Sequence, residues 1–403
     1  MSDWQECKLE DVAEKIGMGP FGSNIKISTF VSEGIPVISG THLHGIRLED
    51  KEYNFVTLEH ANSLLTANVY PGDVIFTHAG NIGQVAVIPQ NSKYPRYILS
   101  QRQFYFRPRK EKISAEYLTY YFKSNEGQYK LLANANQTGV PSLAQPVSYL
   151  KTIDILLPPL PEQRAIAAVF SSLDDKIDLL NRQNKTLEGL AQTLFRKWFE
   201  EEDDNFIQTS ANEKIRLGDI VETVSKTHPL DRETIIFLNT SDIDSGKVIK
   251  NTYEFVSGLP GQAKKSIQMG DILFSEIRPA NKRYAYIDFD SQDYVVSTKL
   301  MVLRSKKIIA QAVIYFFLTR NKTLESLQLL AESRSGTFPQ ITFDQIAELN
   351  FRLPIGNLRT NLENAAGNIL SKICFNNKNV RTLSVLRDGL LPKLMSGEVR
   401  VKV

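Results

Sequence analysis

Residues 157–199 read LPPLPEQRAIAAVFSSLDDKIDLLNRQNKTLEGLAQTLFRKWF, and no proline occurs between Glu162 and Phe199. Apolar residues step along this stretch by fours and threes: Ile166, Phe170, Leu173, Ile177, Leu180, then Asn184, Leu187, Ala191, Leu194 and Trp198. That spacing predicts a long helix that pairs with a second helix along one seam. Adding 196 to each number gives Leu362, Ala366, Ile369, Ile373, Asn376, Val380, Leu383, Arg387, Leu390 and Leu394. The same seam is therefore written twice, with Pro392 and Gly397 expected to end the second copy.

The flanking sequence repeats as well. Lys8-Leu9-Glu10-Asp11-Val12 answers to Arg216-Leu217-Gly218-Asp219-Ile220, and Pro71-Gly72-Asp73-Val74-Ile75-Phe76-Thr77 to Met269-Gly270-Asp271-Ile272-Leu273-Phe274-Ser275. Thr138-Gly139-Val140-Pro141 answers to Ser335-Gly336-Thr337-Phe338-Pro339. Strands are predicted at 73–77, 85–88 and 103–106, with partners at 271–275, 284–287 and 300–303. A helix should follow each set, near 115–124 and 310–319. The fold class is α+β: two globular domains with an internal pseudo-two-fold repeat, joined by two long antiparallel helices forming a coiled coil. The expected divisions are a first domain at 1–160, a central helix at 161–200, a second domain at 201–355 with an acidic linker at 201–212, and a C-terminal helix and tail at 356–403.

Antiparallel pairing of helices about 33 residues long, ~50 Å at 1.5 Å per residue, leaves the register open. Full overlap places Asn184 opposite Asn376, Ala191 opposite Ile369 and Leu194 opposite Ala366. A buried asparagine pair would set alignment; two asparagines at solvated seam edges is the alternative.

Composition narrows the class. The chain has 403 residues, 42% hydrophobic, a net charge of +3 and two cysteines, Cys7 and Cys374, without metal-binding spacing. No apolar run reaches the roughly 20 residues of a membrane span, and the N-terminus does not read as a signal peptide, so a cytoplasmic location is expected. Phosphate-loop and dinucleotide fingerprints are missing. Gly17-Met18-Gly19-Pro20-Phe21-Gly22-Ser23 reads as a flexible surface loop. His42 and His44 would share a strand face, but no third ligand accompanies them, so no metal is expected. Leu157-Pro158-Pro159-Leu160 is superficially like an amino-methyltransferase loop, yet lacks the preceding Asn/Asp and following aromatic that would hold a flipped base. Neither a nucleophile elbow nor a paired-carboxylate site is present. The expectation is a recognition or scaffolding protein that is no enzyme by itself and holds no cofactor.

Residues 157–166, continuing through Leu173-Asp174-Asp175-Lys176-Ile177 and Leu187–Phe199, resemble the central conserved region of type I restriction–modification specificity subunits. Leu383–Val399, with Gly389-Leu390-Leu391-Pro392-Lys393-Leu394-Met395-Ser396-Gly397, is similar to that family's C-terminal conserved region. The second copy lacks Pro-Glu-Gln-Arg and has Ile355-Gly356-Asn357-Leu358-Arg359 instead. The resemblance implies two target recognition domains, each reading half of a split sequence in double-stranded DNA. It implies helices that space them and dock two methyltransferase subunits acting with S-adenosylmethionine on adenine. Two restriction subunits using ATP and magnesium would complete the complex. A coiled-coil interaction scaffold without DNA specificity is the competing reading, and a standalone DNA enzyme lacks its motifs.

Base edges require donors and acceptors on exposed loops. In the first half the candidates are Ser23, Asn24, Lys26, His42, His78, Asn81, Arg96, Gln101, Arg102, Gln137 and Thr138. In the second they are Lys226, His228, Asn239, Arg278, Asn281, Lys282, Arg283, Lys299, Arg334 and Thr337. The loops at 77–81 and 275–283 occupy equivalent places but differ in sequence and length, as expected of two readers with different half-sites.

Overall fold

The structure is a computed structural model that describes residues 4–22, 24–136, 139–199, 212–334 and 337–402. The acidic segment 201–211 lies outside the described residues, as do Ser23, Gln137 and Thr138, and the side chains of Trp198 and Arg334. The chain divides into two compact units, 1–177 with 382–403, and 178–381. Each long helix is thus shared between the units, the first running Leu160–Phe199 and the second Asn357–Met395.

The first unit carries two four-stranded sheets. One is antiparallel, in the order Ala13–Met18, Gln103–Pro108, Val74–Thr77, Val85–Val87. The other is mixed, in the order Asn54–Val56, Ile35–Ile38, Tyr97–Leu99, Asn68–Val69. Strand Val74–Thr77 is buried throughout because both faces of its sheet are covered. Val74 and Phe76 point to the core shared with the helix Ala115–Lys123, while Ile75 points to Tyr97 and Leu99 of the mixed sheet. Gly17, expected in a flexible loop, lies instead in strand Ala13–Met18, where a Cβ would fall 2.6 Å from the Tyr105 ring.

The second unit repeats this order strand for strand. Its antiparallel sheet runs Val221–Thr223, Leu300–Ser305, Ile272–Ser275, Tyr284–Tyr286, and its mixed sheet Glu254–Phe255, Thr234–Leu238, Tyr294–Ser297, Ala263–Ser266. A buried ion pair is repeated too. Arg107 grips Asp73 through two bonds of 2.8 and 2.7 Å, and Arg304 grips Asp271 through two of 2.7 and 2.9 Å. Each carboxylate also accepts a turn N–H, from Tyr70 at 2.9 Å or Gln268 at 2.8 Å. That anchors the Gly-Asp turn leading into the central strand of each half.

Within each unit the helices run antiparallel. In the first, Ile166 and Phe170 share a core with Leu394 and Met395, and Leu173 and Leu390 pack at its edge. Arg387 donates to Asp174 at 2.9 Å, and Tyr120 donates to the same carboxylate at 2.7 Å. In the second, Leu362, Ala366, Ile369 and Ile373 share a core with Ala191 and Phe195, with Leu187 against it. Ile177, Leu180 and the Asn184 and Asn376 side chains are buried, whereas Val380 and Leu383 are half-buried.

Two helix expectations need correction. Leu194 is 45% exposed, and its neighbour Phe195 is 2% exposed and carries the seam. A straight helix turns 3.6 residues per turn, so a strict heptad drifts by about 20° per repeat and the buried face moves on by one residue. Pro392 does not end the second helix, which continues to Met395. Placed in the last turn, its missing N–H forfeits a single bond, and the helix stops instead before Gly397, at φ 75.

Candidate nucleic-acid interface

Four loops distant in sequence converge in the first unit. His78 donates its backbone N–H to Arg102 O at 2.9 Å, Leu143 donates to His78 O at 2.8 Å, and Gly80 donates to Pro141 O at 2.9 Å. The Gln101 amide reaches back to the carbonyls of Gly22 and Ile25, the latter at 3.2 Å, and so adds the Gly22–Lys26 loop. Asn24, Lys26, Asn81, Gln101 and Arg102 are exposed on this cluster.

The second unit repeats the same three backbone bonds. Glu276 donates to Lys299 O at 3.0 Å, Ile341 to Glu276 O at 2.9 Å, and Arg278 to Pro339 O at 3.2 Å. The Lys226–His228 segment is bonded to strand Ala263–Ser266, through Ser266 N–H to Lys226 O at 2.8 Å and His228 N–H to Lys264 O at 2.7 Å. Lys226, Arg278, Asn281, Lys282 and Thr337 are exposed here. Loops of different sequence thus sit in one backbone clamp, and a rigid clamp with variable tips is suited to reading two different partners.

Several candidates are engaged by the fold. His42, expected to share a strand face with His44 and counted among the candidate DNA contacts, ends a 3-10 turn over Gly40–His42 and is 3% exposed. It stacks on Tyr53 at 4.5 Å, and its Nδ1 accepts the Ser39 N–H at 3.0 Å. The reading of His42 as a DNA contact is therefore corrected: its ring atoms are committed to the core. Arg96 donates to Asn68 and, at 2.9 Å, to Asn62. Arg283 donates to Ile243 O at 2.8 Å. Asn239 accepts the Thr240 N–H at 2.8 Å as a turn cap. Lys282 reaches Asn321 at 3.3 Å, and Lys299 lies 3.9 Å from Glu276.

Burial pushes the imidazoles of His42, His78 and His228 below their ordinary value. Neutral imidazoles offer hydrogen bonds but no charge to a phosphate. His78 spends Nε2 on Gln101 O at 3.1 Å, and His228 accepts the Leu230 N–H at 3.0 Å. Cationic attraction at the clamps therefore falls to exposed lysines and arginines.

Sequence reading missed two features. Val140 and Phe338, at equivalent places beside the clamp, are 63% and 56% exposed. The other is an apolar outer face on the helices: Leu179 and Leu190 on the first, Phe375 and Leu386 on the second, 39–57% exposed. These four were legible only as residues off the seam, and their recurrence at the 196-residue offset was the available signal. Among the described residues no three His, Cys, Asp or Glu side chains are grouped to hold a metal, and no helix is long and apolar enough to cross a membrane.

A repeated reader with clamped loops, carried on paired helices, defines a two-domain recognition protein. The chain belongs to the family of type I restriction modification DNA specificity domains, whose model matches residues 1–189 and 210–360. It is 25% identical over 99% of its length, and 94% of the other's, to the MjaIX type I restriction enzyme specificity subunit of Methanocaldococcus jannaschii. It is 44% identical to the HindI specificity subunit of Haemophilus influenzae over 140 residues, 34% of this chain and 30% of that one. The crystal structure of a type I restriction-modification S subunit from M. genitalium shares the fold, with a TM-score of 0.60 and 17% identity over 98% of this chain and 96% of that one.

Proposed function

We propose that each half reads one part of a bipartite DNA target, and that the helices join the two readers and dock two methyltransferase subunits. The repeated clamp carries the first statement. Three backbone bonds recur between the halves, while the loop tips they hold differ in residue, charge and length. Exposed Lys26, Arg102, Lys226 and Arg278 supply phosphate and base contacts.

The outer face of the helices supports the docking reading. Leu179 and Leu190 are eleven residues apart, which at 3.6 residues per turn brings them to within about 20° of one face. Phe375 and Leu386 repeat that spacing, so two like partners would meet two like surfaces. Catalysis belongs to the partners: S-adenosylmethionine to the methyltransferase subunits, ATP and magnesium to restriction subunits. The cytoplasm is where such a complex meets its DNA.

Mapping methylated adenines in cells carrying the wild-type chain tests the reading. A split motif is expected, and exchanging residues 212–355 for those of a relative should change one half of it only. Phe375→Asp combined with Leu179→Asp should abolish co-purification of the methyltransferase chain without loss of folding. A chain that retains no DNA at low salt would favour the scaffold reading instead.

A further inference from the structure

We propose that Arg102 and Arg278 are the guanine-reading side chains of their respective halves, presented at the same loop of the clamp from positions that do not correspond. The inference rests on the reading of each half as a DNA reader and names the residue that does the reading.

By the repeat, His78, Gly80 and Arg102 correspond to Glu276, Arg278 and Lys299, because each trio makes the same backbone bonds. Gly80 and Arg278 both hold a left-handed backbone, at φ 83 and φ 45. Glycine adopts that conformation freely, whereas a residue with a Cβ is strained there. The second half nevertheless places an arginine at this point, exposed at the loop tip, with its guanidinium at a long 3.5 Å from Thr337 O. In the first half the strain is absent, but the cation is not. A Cβ built on Gly80 would fall 3.3 Å from Nη1 of Arg102, so that guanidinium lies over the spot from which the Arg278 side chain departs.

The third members of the trios complete the exchange. Lys299, which stands where Arg102 stands, turns its ammonium to Glu276 at 3.9 Å. Glu276 itself stands where His78 stands, and neutral His78 leaves Arg102 uncompensated. Among the described residues no carboxylate lies within 4.0 Å of the guanidinium of Arg102 or of Arg278. Among the described residues, Arg102 in the first clamp and Arg278 in the second each present an unneutralised guanidinium. In the first half it comes from the strand-side loop, and in the second from the hairpin loop.

A guanidinium in a fixed position suits guanine, whose O6 and N7 accept its two parallel donors in the major groove. A phosphate contact would tolerate a lysine and a loose tether. Retaining a strained arginine where glycine fits, beside a lysine that is turned away, points to the contact in which fork geometry matters.

Selection of duplexes from a randomised pool by the full-length chain, isolated with its bound partners, tests this. Arg102→Ala and Arg102→Lys should each lose preference for one guanine in one half-site by about 10- to 100-fold, with the other half-site unchanged. Arg278→Ala and Arg278→Lys should do the same in the other half-site. Arg102→Ala combined with Gly80→Arg should recover preference at that same position, which a merely structural role for Arg102 would not allow. Uniform weakening on all duplexes with a shallower salt dependence would mark phosphate contacts and overturn the proposal. Variants selecting the wild-type sequence would overturn it as well. If the wild-type chain itself selects no split sequence, it is the DNA reading that fails.

Discussion

Asn376 donates its side-chain N–H to Oδ1 of Asn184 at 2.8 Å, and Asn184 donates in turn to Oδ1 of Asn377 at 2.7 Å. Both Asn184 and Asn376 are buried, and Oδ1 of Asn376 is left without a partner. Any other alignment would bury these amides against hydrocarbon, so the pair selects one register at some cost in stability.

Replacing only Asn184 by Leu should strand the Asn376 amide and destabilise the second unit by about 1–3 kcal/mol. Replacing both by Leu should recover much of that loss while permitting slipped registers. Hydrogen exchange of the amides near residues 180–188 would show the first effect as faster exchange. Equal protection in the single variant would refute the pairing.

The Asp271–Arg304 pair is predicted to matter more for stability than any exposed ion pair. Asp271→Ala removes two bonds to Arg304 and one to the Gln268 N–H, leaving a partly buried guanidinium, for a loss of about 3–5 kcal/mol. Exposed Arg216 with Asp219 should contribute far less, because solvent screens the pair. Thermal melting of the two alanine variants compares them directly. Asp73→Ala should match Asp271→Ala, because its geometry is the same.

The helical drift predicts opposite outcomes at adjacent residues. Leu194→Lys should change stability by no more than about 0.5 kcal/mol, as expected of a surface site. Phe195→Ala should cost about 3–5 kcal/mol, since the ring lies at 5.7 Å from Phe316 in the core. Urea unfolding would reverse this order if the strict heptad held.

Burial holds the His42 imidazole neutral, below its ordinary value, while it accepts the Ser39 N–H. A depressed value means that the unfolded chain binds the proton first. Stability from this site is therefore present above pH ~6.5 and drains as pH falls through and below it. His42→Gln should flatten the fall in melting temperature between pH 7 and pH 5. An unchanged pH dependence would show that the imidazole titrates freely in the folded protein.

The seam was largely legible because burial on a helix repeats with a period that one sequence displays, and because a second copy confirmed it. The clamped loops were legible only as loops. His42 and Arg96 looked like Lys26 or Arg102 in sequence, being polar residues between strands. Their different fates depend on Tyr53, Asn62 and Asn68, none of which is a near neighbour of both. Asp73 and Arg107 were likewise separated by more than thirty residues, so the repeat displayed their turn but not the bond across the sheet.

By itself the sequence determined the duplication, the strand-rich halves, the paired helices and the family, because each is carried by local periodicity or by contiguous motifs. The tertiary structure alone decided that Phe195 rather than Leu194 faces inward, and that Asn184 meets both Asn376 and Asn377. It also decided that the Arg102 guanidinium lies against Gly80, the position that Arg278 occupies in the other half. Those outcomes depend on where side chains from distant segments converge, and a linear repeat compares positions without showing which atoms share a place in space.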